Sequence, residues 1–263
     1  MLHKIRKKLF DSLPSCILIF FLNMMPSYLF KIKKVSKNIY LLKGDANLYI
    51  CRPKRLFKYK EGVNNRLSRL RDKYFIGDID FAKGDLVIDI GSNIGEVPIA
   101  IRAAGNKINV IAIEPDTIEF LVLKKNLFES DTLYNCFLGD RNGYLHASYN
   151  NNSGDTHIVT PDHKDVSSKV LVKLYALDDL LSNVDIESVK LLKLEVEGYE
   201  PEVLNGARQT LKVVQFVAVD TGPEREGKDT FDEVFDLMRE FSFEMIANHN
   251  RSSVIFKNRN YFC

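Results

Sequence analysis

Tryptophan is absent from the 263 residues, cysteine occurs four times, and no apolar run approaches membrane-spanning length. Each shortage excludes something. Cys16, Cys51, Cys136 and Cys263 make no CxxC pair and no zinc-ligand spacing, so neither a disulfide framework nor a structural zinc is expected, and a reducing, cytoplasmic setting is the simpler one. Cys136, inside an apolar run, reads as a small core residue. The closing Asn-Tyr-Phe-Cys is no prenylation signal. The cleanest apolar run, residues 16–22, is far short of the roughly 20 residues that cross a bilayer. No small-x-small cleavage site follows it, so a removable signal peptide is not expected. There is no internal repeat, no G-x-G-x-x-G and no Asn-Pro-Pro-aromatic block. The last two absences weigh against a dinucleotide site and against base-flipping chemistry on nucleic acid.

Charge is present but unevenly placed. Residues 1–37 hold eight Lys or Arg and one acid, Asp11, so the rest of the chain carries a net −5 within a total of +2. A mildly acidic body gives no nucleic-acid signal. In the front, Lys4, Arg6, Lys7 and Lys8 precede an apolar stretch from Leu13 to Phe30, interrupted by Pro14, Asn23 and Pro26, and Lys31, Lys33, Lys34 and Lys37 follow it. Two readings stand: a terminal helix packed on the domain, or a helix lying on an anionic membrane surface, which would place the protein peripherally at the inner face of a membrane.

Three regions are expected: this basic, apolar arm (1–37), a β/α extension (38–83), and an α/β domain (84–263). Residues 39–42 and 48–51 read as strands around a Lys-Gly-Asp turn, and residues 64–75 as a helix with Leu67, Leu70 and Tyr74 on one face. From residue 84 apolar strands alternate with amphipathic helices, the pattern of a mainly parallel sheet. Strands are expected at 86–90, 109–113, 133–138, 189–196 and 213–219, with helices at 95–104, 117–128, 201–212 and 230–241 between and after them. Residues 243–247 and 253–257 read as a closing antiparallel pair. Residues 141–175, rich in Asn, Ser, Asp and Gly, break the alternation and read as an insertion, a hairpin or flap near the site.

The first strand runs into Asp89-Ile90-Gly91-Ser92-Asn93-Ile94-Gly95. Gly91, Asn93 and Gly95 belong to a turn that lets the backbone approach a ligand, and the following helix aims free amides at it. A carboxylate at the strand end, Asp89, would repel a pyrophosphate. S-adenosylmethionine (SAM) has no phosphate and carries an ammonium and a cationic sulfur, so an acid here favours SAM over NAD. The alternative is an Asp that merely satisfies the turn. Glu114 ends the second strand, 23 residues after Gly91, where an acid typically accepts ribose hydroxyls. Asp140 follows the third strand and is a candidate for the adenine amino group, or simply a turn residue.

At these residues the chain resembles the FkbM-type methyltransferase family. The resemblance rests on residues 84–96, on Ala112-Ile113-Glu114-Pro115, and on Leu191-Leu192-Lys193-Leu194-Glu195-Val196-Glu197-Gly198-Tyr199-Glu200 continuing to Ala207, and it covers about residues 38–257. It implies a Rossmann-like, seven-stranded methyltransferase sheet, mostly parallel with an antiparallel C-terminal strand. It also implies SAM as cofactor and O-methylation, often of sugar hydroxyls on glycans or secondary metabolites. Where the family usually has Asp, this chain has Glu195, one methylene longer.

Lys193, Glu195 and Glu197 alternate along one strand and share a face. Charges on one face of a central strand are costly unless paired or at its open end. Glu195 is therefore the candidate to bind or deprotonate an acceptor hydroxyl, Lys193 its partner or a cation that lowers a nearby hydroxyl's pKa, and Glu197 a cap for the next helix; a purely structural Lys–Glu pair is the other reading. Asp220, ending the fifth strand, is a second acceptor candidate. His157 and His249 read as surface or structural residues. No cluster has metal-ligand spacing, so no metal is expected, with a divalent ion between Glu195 and Asp220 the arrangement left open. The competing classes are an NAD(P)-dependent oxidoreductase and a non-catalytic, membrane-associated module that keeps the fold.

Overall fold

Short apolar segments bounded by Gly, Asn and Pro dictate most of the elements. In the computed structural model, residues 15–25, 28–149, 156–158, 169–225 and 227–261 are described. Lys4 to Lys8, the polar middle of the insertion and Cys263 lie outside them. The described residues begin with α1 (Ser15–Met24), then β1 (Phe30–Ser36), β2 (Ile39–Gly44), β3 (Asn47–Ile50) and α2 (Val63–Lys73). The strands β1-β2-β3 form an antiparallel sheet. The sequence concealed β1, because Phe30 and Ile32 alternate with lysines; in the fold those two are buried and Lys31 and Lys33 face out.

The alternation follows: β4 (Leu86–Ile90), α3 (Glu96–Ala103), β5 (Asn109–Ile113), α4 (Thr117–Asn126), β6 (Thr132–Tyr134), β7 (Phe137–Gly139), β8 (Gly143–Tyr149), β9 (Thr156–Ile158), β10 (Lys169–Ala176), the single turn α5 (Leu177–Leu180), β11 (Val189–Leu194), α6 (Glu200–Asn205), β12 (Val214–Asp220), α7 (Phe231–Glu240), β13 (Phe243–His249) and β14 (Ser253–Asn258). A seven-stranded sheet has the order β13-β14-β12-β11-β4-β5-β6. Neighbours from β12 to β6 are parallel, and β14 runs antiparallel to both β12 and β13. This is the expected Rossmann-like α/β sheet with an antiparallel strand near the C-terminus. Ile88, Leu192 and Val217 pack on one face; Val87, Leu191 and Ala218 pack on the other. Covering both faces is what makes the central strands read as continuous apolar runs.

Two expected elements come out differently. The third strand splits: residues 132–134 pair with β5, while 137–139 pair in parallel with β10 in a second sheet of order β7-β10-β8-β9. Both halves are apolar, so periodicity carries no mark of the change of sheet. The helix expected over 201–212 stops at Asn205 and resumes only as a 3₁₀ turn at Thr210–Val213. The long segment read as an insertion contributes β8 and β10, an antiparallel pair.

Strand order reverses between β4, whose other neighbour is the next strand β5, and β11, which comes about 100 residues later. Ligands in open α/β sheets lie beyond the carboxyl ends of the strands at such a switch point.

Candidate functional site

At the switch point the chain leaves β4 through Gly91-Ser92-Asn93. Gly91 has φ +69°, and a Cβ there would lie 1.8 Å from the Glu195 carbonyl oxygen, so only glycine lets the turn meet the end of β11. Gly91 and Ser92 donate their N–H groups to the Ile113 carbonyl at 3.0 Å each, and Ser92 Oγ donates to the Asp89 carbonyl at 2.6 Å. Asn93 is also left-handed, φ +53°, and its N–H donates to Glu114 Oε2 at 2.7 Å. These bonds fix the turn against the ends of β4 and β5.

A cavity of about 420 Å³ opens above it, within the roughly 300–1,000 Å³ typical of small-molecule sites. Its floor is the turn. Glu114, Pro115, Cys136, Phe137 and Leu138 form one side; Lys73, Tyr74, Glu195, Glu197 and Glu224 form another; Arg55, Lys58, Arg66 and Glu96 close it from the N-terminal elements. Five of the nine residues singled out from sequence line it: Gly91, Asn93, Glu114, Lys193 and Glu195. Asp89, Gly95, Asp140 and Asp220 are not among the lining residues.

Each of those four has a place of its own. Asp89 is wholly buried below the turn, with Lys193 Nζ 3.2 Å from its Oδ1. Burial raises its pKa and Lys193 opposes the rise. Neither carboxylate oxygen has a hydrogen-bond partner among the described residues, so Lys193 answers its charge through the ion pair alone. Gly95, φ +86°, is where α4 comes close: a Cβ would lie 2.9 Å from Leu123 Cδ1. Asp140 is 3.8 Å from Arg141, both largely exposed. Asp220 stands behind Glu195, bound to Lys73 at 2.5 Å and accepting from the Gly222 N–H at 3.0 Å.

Lys193, 2% exposed, also donates to the Ile90 and Gly91 carbonyls at 3.2 and 2.8 Å. The distance to Glu195 is 3.5 Å. It is therefore bound to the turn first and to Glu195 second. Glu114, 6% exposed, accepts from the Asn93 N–H through one oxygen and from the Asp116 N–H through the other, both at 2.7 Å. Burial, then Glu119 nearby, raises its pKa. Glu119 and Asp116 in turn share Arg52, and Glu119 also meets Arg55.

Glu195 receives a hydrogen bond from Tyr74 Oη at 2.7 Å and from Lys73 Nζ at 3.1 Å. Burial would raise its pKa, but Lys193 and Lys73 outweigh it and hold the carboxyl well below the ordinary range. Such a carboxylate is a good hydrogen-bond acceptor and a weak base. Asp220 goes the other way: burial and then Glu195 raise its pKa against Lys73. Glu224 completes the cluster. Its Oε2 is buried with no hydrogen-bond partner among the described residues, and burial, followed by Glu197, Asp220 and Glu195, pushes its carboxyl up to about 9. At neutral pH Glu195 is charged while Glu224 is a neutral donor. Carboxylate oxygens of Glu195, Asp220 and Glu224 all lie within 4.8 Å of one another, a set that could hold a metal ion, and the Lys73 ammonium sits against two of them.

Sequence reasoning missed Lys73, Tyr74 and Glu224. Tyr74 was read as an apolar residue of its helix; its ring is buried, but its hydroxyl reaches Glu195, 121 residues away in sequence. Cys136, read as core, is a cavity wall residue. Tyr199, at the N-cap of α6, makes no side-chain capping bond, and Glu197 lines the cavity. Glu200 instead accepts from the Val196 and Gly198 N–H groups at 3.0 and 3.1 Å. His249 stacks on Phe75 at 4.1 Å and faces the Asp72 carbonyl at 3.1 Å, outside the cavity. On the N-terminal wall, Arg66 grips Glu96 with two bonds of 2.8 and 3.1 Å. Burial, then the like charges of Arg55 and Arg66, lowers the pKa of Lys58.

The chain is 25% identical over 230 residues to the 2-O-methyltransferase NoeI of Sinorhizobium fredii, spanning 81% of this chain and 93% of that one. It is 29% identical over 147 residues to the hexuronic acid methyltransferase AglP of Haloferax volcanii, covering 55% of this chain and 59% of that one. A solved SAM-dependent methyltransferase from Aquifex aeolicus, 12% identical with a TM-score of 0.39, covers 73% of this chain and 96% of its own, a likeness too distant to bear on function. The model of the methyltransferase FkbM domain matches residues 89–245, from the buried Asp89 through the Lys193–Glu200 block to β13. The chain is a methyltransferase and belongs to the FkbM methyltransferase family.

Proposed function

We propose that the cavity holds SAM against the Gly91–Asn93 turn and that the protein methylates a hydroxyl of a sugar, glycan or glycolipid-like acceptor. The observation that carries this reading is Glu114 on the cavity wall at the end of β5, pinned by two backbone N–H groups beside the turn. Its carboxyl, pushed up to about 8 by burial and Glu119, offers a ribose diol one donor and one acceptor beyond those two bonds. The fit extends to both ends of the coenzyme. Gly91 lets the turn close on the end of β11 beneath the cavity. Pro115, Cys136, Phe137 and Leu138 offer an apolar wall for a flat base. With Asp89 paired to Lys193, its part is to hold the turn. When bound, SAM supplies an electrophilic methyl on a cationic sulfur, leaving as S-adenosylhomocysteine.

The residues of this chain handle the acceptor. Glu195 accepts a hydrogen bond from the attacking hydroxyl and aligns its oxygen, while Tyr74 and Lys73 hold the carboxylate still. SAM held there would supply the methyl, and the hydroxyl proton would pass into the carboxylate cluster, where burial raises the proton affinity of Asp220 and Glu224 already holds a proton at neutral pH. Orientation alone can supply roughly 7–11 kcal/mol, against about 10²–10⁴-fold for a positioned base, so a weakly basic Glu195 is no handicap. The cationic wall of Arg55, Lys58 and Arg66 suits a carboxylate, whether of the coenzyme or of an acidic sugar.

Incubation with SAM and a panel of neutral and uronic-acid oligosaccharides, read by mass spectrometry, tests the reaction. The expected product is one O-methyl group on one hydroxyl. SAM bound but turned over with no sugar-like acceptor, while a different acceptor class is methylated, would contradict the proposal.

A further inference from the structure

Helix α1 has no charged residue in its ten. Leu18 and Leu22 are 1% exposed and join the cluster of Leu42, Leu48, Leu56 and Tyr59. The opposite side is not covered within the described residues. Ile17, Phe20, Phe21 and Met24 are 41, 63, 47 and 69% exposed. They fall at i, i+3, i+4 and i+7, so they make one continuous stripe. Leu29, 62% exposed, follows it in the chain. The helix is held in this orientation. Asn23 brackets Ile32 of β1, donating to its carbonyl at 3.1 Å and accepting from its N–H at 2.8 Å, and Lys31 Nζ donates to the Asn23 carbonyl at 2.5 Å.

We propose that this stripe docks on an anionic lipid surface, with the helix lying in the plane of the interface. Charge selects the occupant. From Ser12 to Gly44 the sequence holds five lysines and no acid. Lys31, Lys33, Lys34 and Lys37, in and just after β1, are all exposed. An apolar stripe carried on a lysine-rich, acid-free segment matches the boundary between acyl chains and acidic headgroups. A second copy of this chain, joined through the same face, would bring these lysines against their own equivalents. The chain's own first fourteen residues hold four basic residues and one acid, the wrong sign to cover the patch. No described helix is long and apolar enough to cross a membrane, so the contact is peripheral. Leu56 and Tyr59 share the buried cluster with Leu18 and Leu22, while their neighbours Arg55 and Lys58 line the cavity. The docking helix thus packs on the segment that closes the site.

Flotation of the full chain with vesicles of phosphatidylcholine, alone or mixed with phosphatidylglycerol, at low and high salt, tests the surface without coenzyme or acceptor, so it stands or falls independently of the proposed reaction. The wild type is expected to float with the mixed vesicles, more weakly at high salt, and little with phosphatidylcholine alone. F20S/M24S is expected to lose binding, and K33A/K34A to lose roughly tenfold or more on mixed vesicles only, both with wild-type melting curves. Absence of flotation, equal flotation by all three proteins, a dimer abolished by F20S/M24S, or flotation that begins only when residues 1–14 are removed would overturn the proposal.

Discussion

Lys193 Nζ stands 3.2 Å from Asp89 Oδ1 across the β4–β11 register, beneath the turn whose carbonyls it also binds. The pair joins two strands about 100 residues apart in sequence at the point where their order reverses, and it makes the glycine turn part of a buried polar network rather than a free loop. Both side chains are at most 2% exposed, so each depends on the other for its charge.

Breaking that pair should therefore cost far more than a surface ion pair. Removing one partner of a buried pair typically costs about 3–5 kcal/mol. K193M and D89N are each expected to fall in that range by urea unfolding, with the double variant less destabilised than the sum of the two. A single variant within the usual experimental scatter of wild type would contradict the account.

Gly91 should tolerate nothing larger. Its left-handed φ alone would cost Ala about 1–2 kcal/mol, and its Cβ would also collide with the Glu195 backbone at 1.8 Å. G91A is expected to lower the melting temperature and to abolish ligand binding in the cavity, both followed by differential scanning fluorimetry. A wild-type melt with unchanged ligand response would show that the turn is not constrained as described.

How much of this was legible in the sequence follows from what each residue needs. The parallel core was legible because β4, β5, β11 and β12 are short apolar runs covered on both sides. Glu114 and Gly91 were legible because their positions relative to strand ends are local facts. Lys73, Tyr74 and Glu224 were not. They reach the site from α2 and from the loop after β12, and only the strand order β12-β11-β4 brings those ends together. The Asp89–Lys193 pair has the same origin: each acid and lysine was visible, but their partnership depends on which strands are neighbours. The split third strand was hidden because apolar residues serve both sheets.

The two cavity glutamates should titrate stability in opposite directions. Glu224 holds its proton up to about 9 in the folded protein, whereas an unfolded Glu releases it near ~4.3. Between those values the folded state binds the extra proton, so stability falls as pH rises. E224Q should flatten that fall. Glu195 is held below the ordinary range by Lys193 and Lys73, so its contribution is present above ~4.3 and is lost on acidification. E195Q should remove the acid-side loss. Thermal unfolding from acid to alkaline pH separates the two; identical profiles for wild type and both variants would refute the assignment.

Lys73 should act as the cation of the carboxylate cluster. Its ammonium is 2.5 Å from Asp220 and 3.1 Å from Glu195, close to where a divalent ion bridging them would sit. Wild-type melting is expected to be indifferent to EDTA and to added Mn²⁺, whereas K73A should be stabilised by Mn²⁺ as Glu195 and Asp220 lose the counter-charge they share. Stabilisation of the wild type by Mn²⁺ would reverse this reading.

The most direct test of the account is calorimetric titration of SAM and of NAD into the wild type and E114A. SAM is expected to bind the wild type at one site and NAD not at all, with E114A losing at least about tenfold in SAM affinity, the equivalent of roughly 1.4 kcal/mol. SAM binding unchanged in E114A, or NAD binding in place of SAM, would contradict it.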